Sequence, residues 1–164
     1  MIENSWILSF AALYEKLIKW TSNLQSLFLL WMRLTWGPQF FIMGAQKLSN
    51  LGQSIELFTS LGYSHPVFHT YLTGYIEMIG GILLTAGMAS RLACIPLTLT
   101  TLGILGKAHA STISEWTFIT HPSLVSHQPP YPFLITALLI LIFGPGRLSI
   151  DAWLRRLWLK KKHR

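Results

Sequence analysis

Long apolar runs separated by short polar breaks dominate the chain, and the spacing within the runs is that of helices. Trp6, Phe10, Leu13, Leu17 and Trp20 follow one another at four, three, four and three residues, which places them on one helical stripe. Glu15, Lys16 and Lys19 interrupt this run, so it is expected to lie in a membrane interface or to lead into the first crossing. Residues 24–43 form the first expected span, at the roughly 20 residues a helix needs to cross hydrocarbon. Arg33 and Pro38 sit inside it, and a membrane helix tolerates proline, usually with a kink. Residues 54–61 read as a short amphipathic helix with Ile55, Phe58 and Leu61 on one side, expected on the membrane surface. Gly62 and Pro66 stop it.

A second span is expected over 71–88, with Glu77 inside it, followed by a tight turn carrying Arg91. A third covers 92–109, with Pro96 in its first turn, where proline costs least. A polar loop with Glu115, His121 and His127 follows. The fourth expected span begins near Pro129–Pro132, is short, and ends at Gly144, Pro145 and Gly146. Ser149 is placed to cap a last basic amphipathic helix. The fold class expected is therefore all-α. It is an integral membrane four-helix bundle, with further interfacial helices at both termini and in the first outward loop. The segments are an amphipathic leader over 1–23, a transmembrane domain over 24–146 and a basic tail over 147–164.

Composition sharpens this picture. The apolar share is 51% and the charged share 12%, about half of what a soluble domain carries. Six of the thirteen Lys and Arg residues fall within the last ten positions, so the body is nearly free of charge. A net charge of +7 on such a chain describes a tail, not the basic face of a nucleic-acid binder, and no nucleic acid is expected as a partner. Residues 1–5 lack positive charge and no small-residue cleavage pattern follows, so no cleaved signal is expected. Lys and Arg near the spans divide unevenly. Lys16, Lys19, Arg91, Arg147 and the tail lie on one side, and only Lys47 and Lys107 on the other. Both termini are thus expected in the cytoplasm, with the tail meeting anionic lipid headgroups.

Arg33 and Glu77 are the informative charges, because a charge within a bilayer is costly unless it faces a partner or water. Arg33, Gly37, Phe40, Gly44 and Lys47 share one helical stripe, and Gly74, Glu77 and Gly81 share another. Small residues let helices approach closely, so both charges are expected to face the bundle interior and to pair. A structural pair and a functional pocket are both compatible with this. His109 ends the stripe of Thr98, Leu102 and Leu105 at a depth near that of Glu77, where a histidine can relay protons. His65 and His69 flank Pro66, which argues against a regular two-histidine metal site, and no metal is expected. The lone Cys94 lies in an apolar run as a packed thiol.

These motifs together resemble the DoxX family of small bacterial membrane proteins. The sequence RLTWGPQFFIMGAQKL over 33–48 is similar to that family's arginine, glycine and glycine-x-x-lysine pattern. YIEMIGGILLTAGMASRLA over 75–93 supplies the glutamate, the paired glycines and the arginine after the turn. His109 follows, and GPGRLSID over 144–151 is the most specific piece. Arg33, Gly44, Lys47, Glu77, Gly81, Arg91, His109, Gly146 and Arg147 occupy family-pattern positions. The resemblance implies a four-helix membrane fold in the bacterial cytoplasmic (inner) membrane and a link to redox systems that handle quinones or sulfur compounds. The expected function is a membrane subunit of such a system. Its candidate catalytic residues are Arg33, Glu77 and His109, and Trp36, Phe40, Lys47 and Tyr75 are the candidate lining of a pocket that could take a quinone. A redox protein is the expected partner. The rival expectation is a non-catalytic membrane anchor or maturation partner for a redox or metal-stress protein.

Overall fold

A computed structural model describes residues 5–108, 126 and 130–162. Helices α1 (Ser5–Ser49), α2 (Leu51–Ser60), α3 (Pro66–Ala86), α4 (Ser90–Ala108), α5 (Tyr131–Phe143) and α6 (Ile150–Lys162) account for nearly all of it, and among the described residues there is no strand. The all-α expectation holds.

Local chemistry sets the helix boundaries. Pro66 and the Pro130–Pro132 region stand at the starts of α3 and α5, where the missing N–H would have had no helical partner. Helix α3 ends at Gly87, whose φ of 71° is the left-handed cap conformation, and its N–H reaches back to the carbonyls of Leu83 and Leu84. Ser149 caps α6 as expected, accepting the Ala152 N–H at 3.1 Å. The N-terminal stripe leads into the segment of the first expected span as one helix, one of the two placements the sequence allowed. Helix α1 runs without interruption for 45 residues, about 67 Å at 1.5 Å per residue. Thr21 and Ser22 turn their hydroxyls onto the carbonyls of Leu17 and Ile18, so this polar stretch satisfies itself within the helix.

The same back-bonding recurs through the body. Thr70, Thr73, Thr85, Thr100, Thr101 and Thr136 each donate to a carbonyl one turn earlier. Their polarity is largely spent within their own helices, which lets them sit in a core without external partners. Among the described residues, α3 alone is both long and apolar enough throughout to cross a membrane; α5 is strongly apolar but has 13 residues.

Packing is pairwise and closed. Helix α1 lies along α3 in the largest interface, α3 meets α4, α4 meets α5, and α5 returns to α1, while α2 folds back onto α3. Leu29, Phe40, Leu84, Cys94, Leu97, Ala137 and Ile140 fill the centre, so Cys94 is the buried, free thiol the sequence suggests.

Glycines make the α1–α3 interface possible. A Cβ on Gly44 would stand 2.5 Å from both the Gly74 carbonyl oxygen and the Met78 nitrogen. One on Gly81 would stand 2.5 Å from the Phe41 nitrogen. The backbones touch, and nothing larger than hydrogen fits between them. At the other end, Asp151 ties α6 to the α3–α4 turn. Its carboxylate accepts the N–H groups of Ala89 at 2.7 Å and Ser90 at 3.0 Å, while its own N–H donates to the Gly87 carbonyl at 3.0 Å. These bonds satisfy the first amides of α4 from a distant part of the chain.

Three outcomes follow for thermal unfolding in detergent. Gly44→Ala costs about 1–3 kcal/mol by overpacking a backbone contact, whereas Gly106→Ala, with open space around it, is neutral or stabilises by up to about 1 kcal/mol. Asp151→Ala costs at least about 1–2 kcal/mol through the lost cap of α4.

Candidate functional site

The glycine contacts fix the register of two antiparallel helices. Gly37 packs on Thr85, Phe41 on Gly81 and Gly44 on Gly74 and Met78. Extended along α1, this register brings residue 47 level with about Tyr75, less than one turn from Glu77, and residue 33 level with about Met88. Lys47 and Glu77 accordingly form the ion pair, with Nζ at 2.5 Å from Oε1 and 2.6 Å from Oε2. The Glu77 side chain is 3% exposed and that of Lys47 14% exposed. The expected Arg33–Glu77 pair is therefore incorrect. Eleven residues separate Glu77 from Met88, about 16 Å along the helix, too far for an arginine to reach. Both residues do lie on the stripes that meet, but the cation beside the glutamate is the one at the far end of the α1 stripe.

Arg33 has a different task. It is 1% exposed, and its Nη2 donates to the Leu148 carbonyl at 2.5 Å. The guanidinium packs against the Cα of Gly87, where a side chain would collide with it and with Ser149. Asp151 lies close enough to act on it electrostatically. A cation at the carbonyl end of α3 also complements that helix's dipole. Arg33 thus braces the Gly87 turn and the segment around Leu148. It does not belong to the Glu77 cluster.

Above the Lys47–Glu77 pair lies a cavity of about 140 Å³. Phe40 and Met43 of α1, Phe58 of α2 and Phe133 of α5 form most of its apolar wall, and Thr101 and Ile104 of α4 complete one side. Phe40 and Phe133 meet edge to face, with ring centroids 4.8 Å apart. An apolar cavity of about 150 Å³ holds a benzene-sized ring, so this space takes one six-membered ring. The charged pair forms its polar boundary.

Of the expected lining residues, Phe40 and Lys47 border this cavity. Trp36 stands one layer behind, with its ring 5.1 Å from that of Phe133. Tyr75 does not take part. It is 49% exposed, stacks on Tyr71, and borders an outer apolar groove with Leu72 and Ile79. It is two residues from Glu77, about 200° around a helix, so the two cannot share a face. His109 lies outside the described residues, as do His121 and His127.

Met43 and Phe133 were not singled out from the sequence, and Phe58 was read only as part of the apolar side of a surface helix. The amphipathic spacing of α2 carries a signal for Phe58, which is buried because α2 folds over the cavity and not only along a surface. A cluster of Tyr63, His69 and Phe58 secures α2 to the start of α3. Lys107 reinforces it by donating to the Gly62 carbonyl at 2.9 Å while lying 4.5 Å from the centre of the Tyr63 ring. Burial raises the Tyr63 phenol above its ordinary pKa, so it stays a neutral donor well into alkaline conditions.

A relative from Bacillus subtilis (strain 168), named "Putative oxidoreductase CatD", is 27% identical over 120 residues, which are 73% of this chain and 81% of the relative. No solved structure matches. The DoxX family model matches residues 28–110, a stretch that contains Arg33, Gly44, Lys47, Glu77, Gly81 and Arg91 on their observed helices. The chain belongs to the DoxX family.

Proposed function

We propose that this protein is a membrane-embedded component of a redox system and that the Lys47–Glu77 cavity is its ligand site, taking the ring of a quinone or a compound of similar shape. The carrying observation is the ion pair itself, held at the boundary of a ring-sized, aromatic-walled space.

The membrane reading is supported by what the helices turn outward. Leu92, Leu99 and Ile142 are 70%, 65% and 64% exposed, and Ile79 and Ile82 add to the same apolar exterior. Water tolerates no apolar surface of that extent on a lone folded chain, whereas lipid solvates it. In this arrangement α3, α4, α5 and the second half of α1 cross the bilayer as a four-helix bundle. The first half of α1, α6 and the outer side of α2 lie at the interfaces. Arg91, Arg147, Arg155 and Arg156 gather at one end of the bundle, and Lys47 and Lys107 lie toward the other. That segregation supports a cytoplasmic location for both termini in the inner membrane.

The chemistry follows from the pair. The Lys47 ammonium can donate to a ring carbonyl seated among Phe40, Phe58 and Phe133, a charge-assisted bond strengthened by the low dielectric around it. The Glu77 carboxylate can accept a proton from the corresponding ring hydroxyl. When a quinol is oxidised to a quinone, two protons and two electrons leave. Glu77 takes up a proton, the second is released toward the aqueous end, and a partner redox protein accepts the electrons. Arg33 holds the opposite end of the bundle in place throughout. The oxidoreductase name of the Bacillus subtilis relative is consistent with this assignment.

A two-residue cycle tests it. Lys47→Met and Glu77→Leu singly leave a buried, unpaired charge and cost about 3–5 kcal/mol each, while the double variant removes both charges and recovers most of that loss. With stability restored, the double variant binds a soluble quinone analogue at least about tenfold more weakly, the factor expected from losing one charge-assisted hydrogen bond. It also loses quinol oxidation in membranes that contain the partner. Full binding and full quinol oxidation by a stable double variant would sink the redox site and leave an anchoring role in its place.

A further inference from the structure

A second site is built at the other end of the bundle. Between α1, the start of α4 and α6 lies an open cleft of about 770 Å³. Arg91, Arg147, Arg155 and Arg156 line it, and Asp151 is its one carboxylate, a formal balance of four minus one, or +3. That carboxylate is already engaged, since both oxygens accept backbone N–H groups from Ala89 and Ser90.

Three of these arginines have donors to spare. Arg91, Arg155 and Arg156 are exposed, and among the described residues none of the three is in an ion pair. Arg91 donates one long bond to the Ile142 carbonyl at 3.3 Å, and Arg156 one to the Arg147 carbonyl at 3.5 Å. Each guanidinium carries five N–H groups in a fork that matches phosphate geometry. The cleft is not polar throughout, because Leu29, Phe143 and Leu159 give it an apolar wall.

We propose that this cleft binds a phosphate-bearing anion, and that the anion is the headgroup of an acidic phospholipid. The arginines fit the phosphate. The apolar wall fits the glycerol and the first carbons of the acyl chains, which a free phosphate lacks. The cleft also opens where the apolar helices end, at headgroup depth. The proposal rests on the membrane reading above but not on the Lys47–Glu77 cavity, so failure of quinone binding in the ion-pair cycle leaves it standing.

Native mass spectrometry of the full-length protein in a neutral detergent provides the test, with phosphatidylglycerol, phosphatidylcholine and inorganic phosphate as probes. Phosphatidylglycerol stays bound and phosphatidylcholine does not. In the Arg155→Gln/Arg156→Gln variant the phosphatidylglycerol affinity falls on the order of tenfold. Lys161→Gln, on α6 but outside the cleft, changes it less than about twofold. Equal retention of the two lipids overturns the proposal, and so does an equal loss in Lys161→Gln, which would reduce the effect to general tail charge. Displacement of the lipid by millimolar inorganic phosphate overturns the lipid assignment in favour of the free anion.

Discussion

The backbone contact between α1 and α3 is the constraint from which the rest of the arrangement follows. Two helices packed through side chains can slide by a residue or a turn at modest cost. Where the Cα of Gly44 meets the Gly74 carbonyl, and that of Gly81 meets the Phe41 amide, the interlock admits one register. Packing density of this kind makes small displacements expensive. The register in turn decides which charges are neighbours. It aligns Lys47 with Glu77, keeps the pair within the helix–helix seam, and leaves Arg33 about three turns away beneath Gly87. A buried ion pair adds little stability by itself, so it is better understood as a consequence of the register than as its cause.

The two ends of the bundle consequently have separate characters. At one end a single cation and a single anion neutralise each other beside a small aromatic cavity roofed by α2. At the other, Arg33 and Asp151 bind together three segments far apart in sequence: the middle of α1, the α3–α4 turn and the entry to α6. The second arrangement is mechanical. It uses charge to satisfy backbone groups that a chain turning sharply at Gly87 would otherwise leave unpaired. The arginines around it are left facing outward, which gives this end its positive potential.

Much of this was legible in the residues. The helical stripes of Arg33–Lys47 and Gly74–Gly81 were readable because helix periodicity is a local property and glycine at such spacing signals close approach. Ser149 as a cap and the stop at Gly144 were equally local. The reading went astray where opposite charges were matched by apparent depth. Depth counted along each helix separately ignores the offset between helices, and an offset of one or two turns exchanges one cation for another. The first 23 residues are continuous with the helix that follows them for a local reason. Thr21 and Ser22 look polar in sequence, yet their hydroxyls bond within the helix and do not interrupt it.

Sequence by itself determined the all-helical character, the faces that meet, the charge asymmetry between the two ends and the family. These depend on neighbours within a turn or two and on composition. Only the tertiary structure decided that Lys47 and not Arg33 meets Glu77, that Phe58 and Phe133 close a cavity over them, that Tyr75 faces away, and that four arginines share one cleft. Each of these is a contact between segments far apart in the chain, and such contacts are set by interhelical register, which no local pattern encodes.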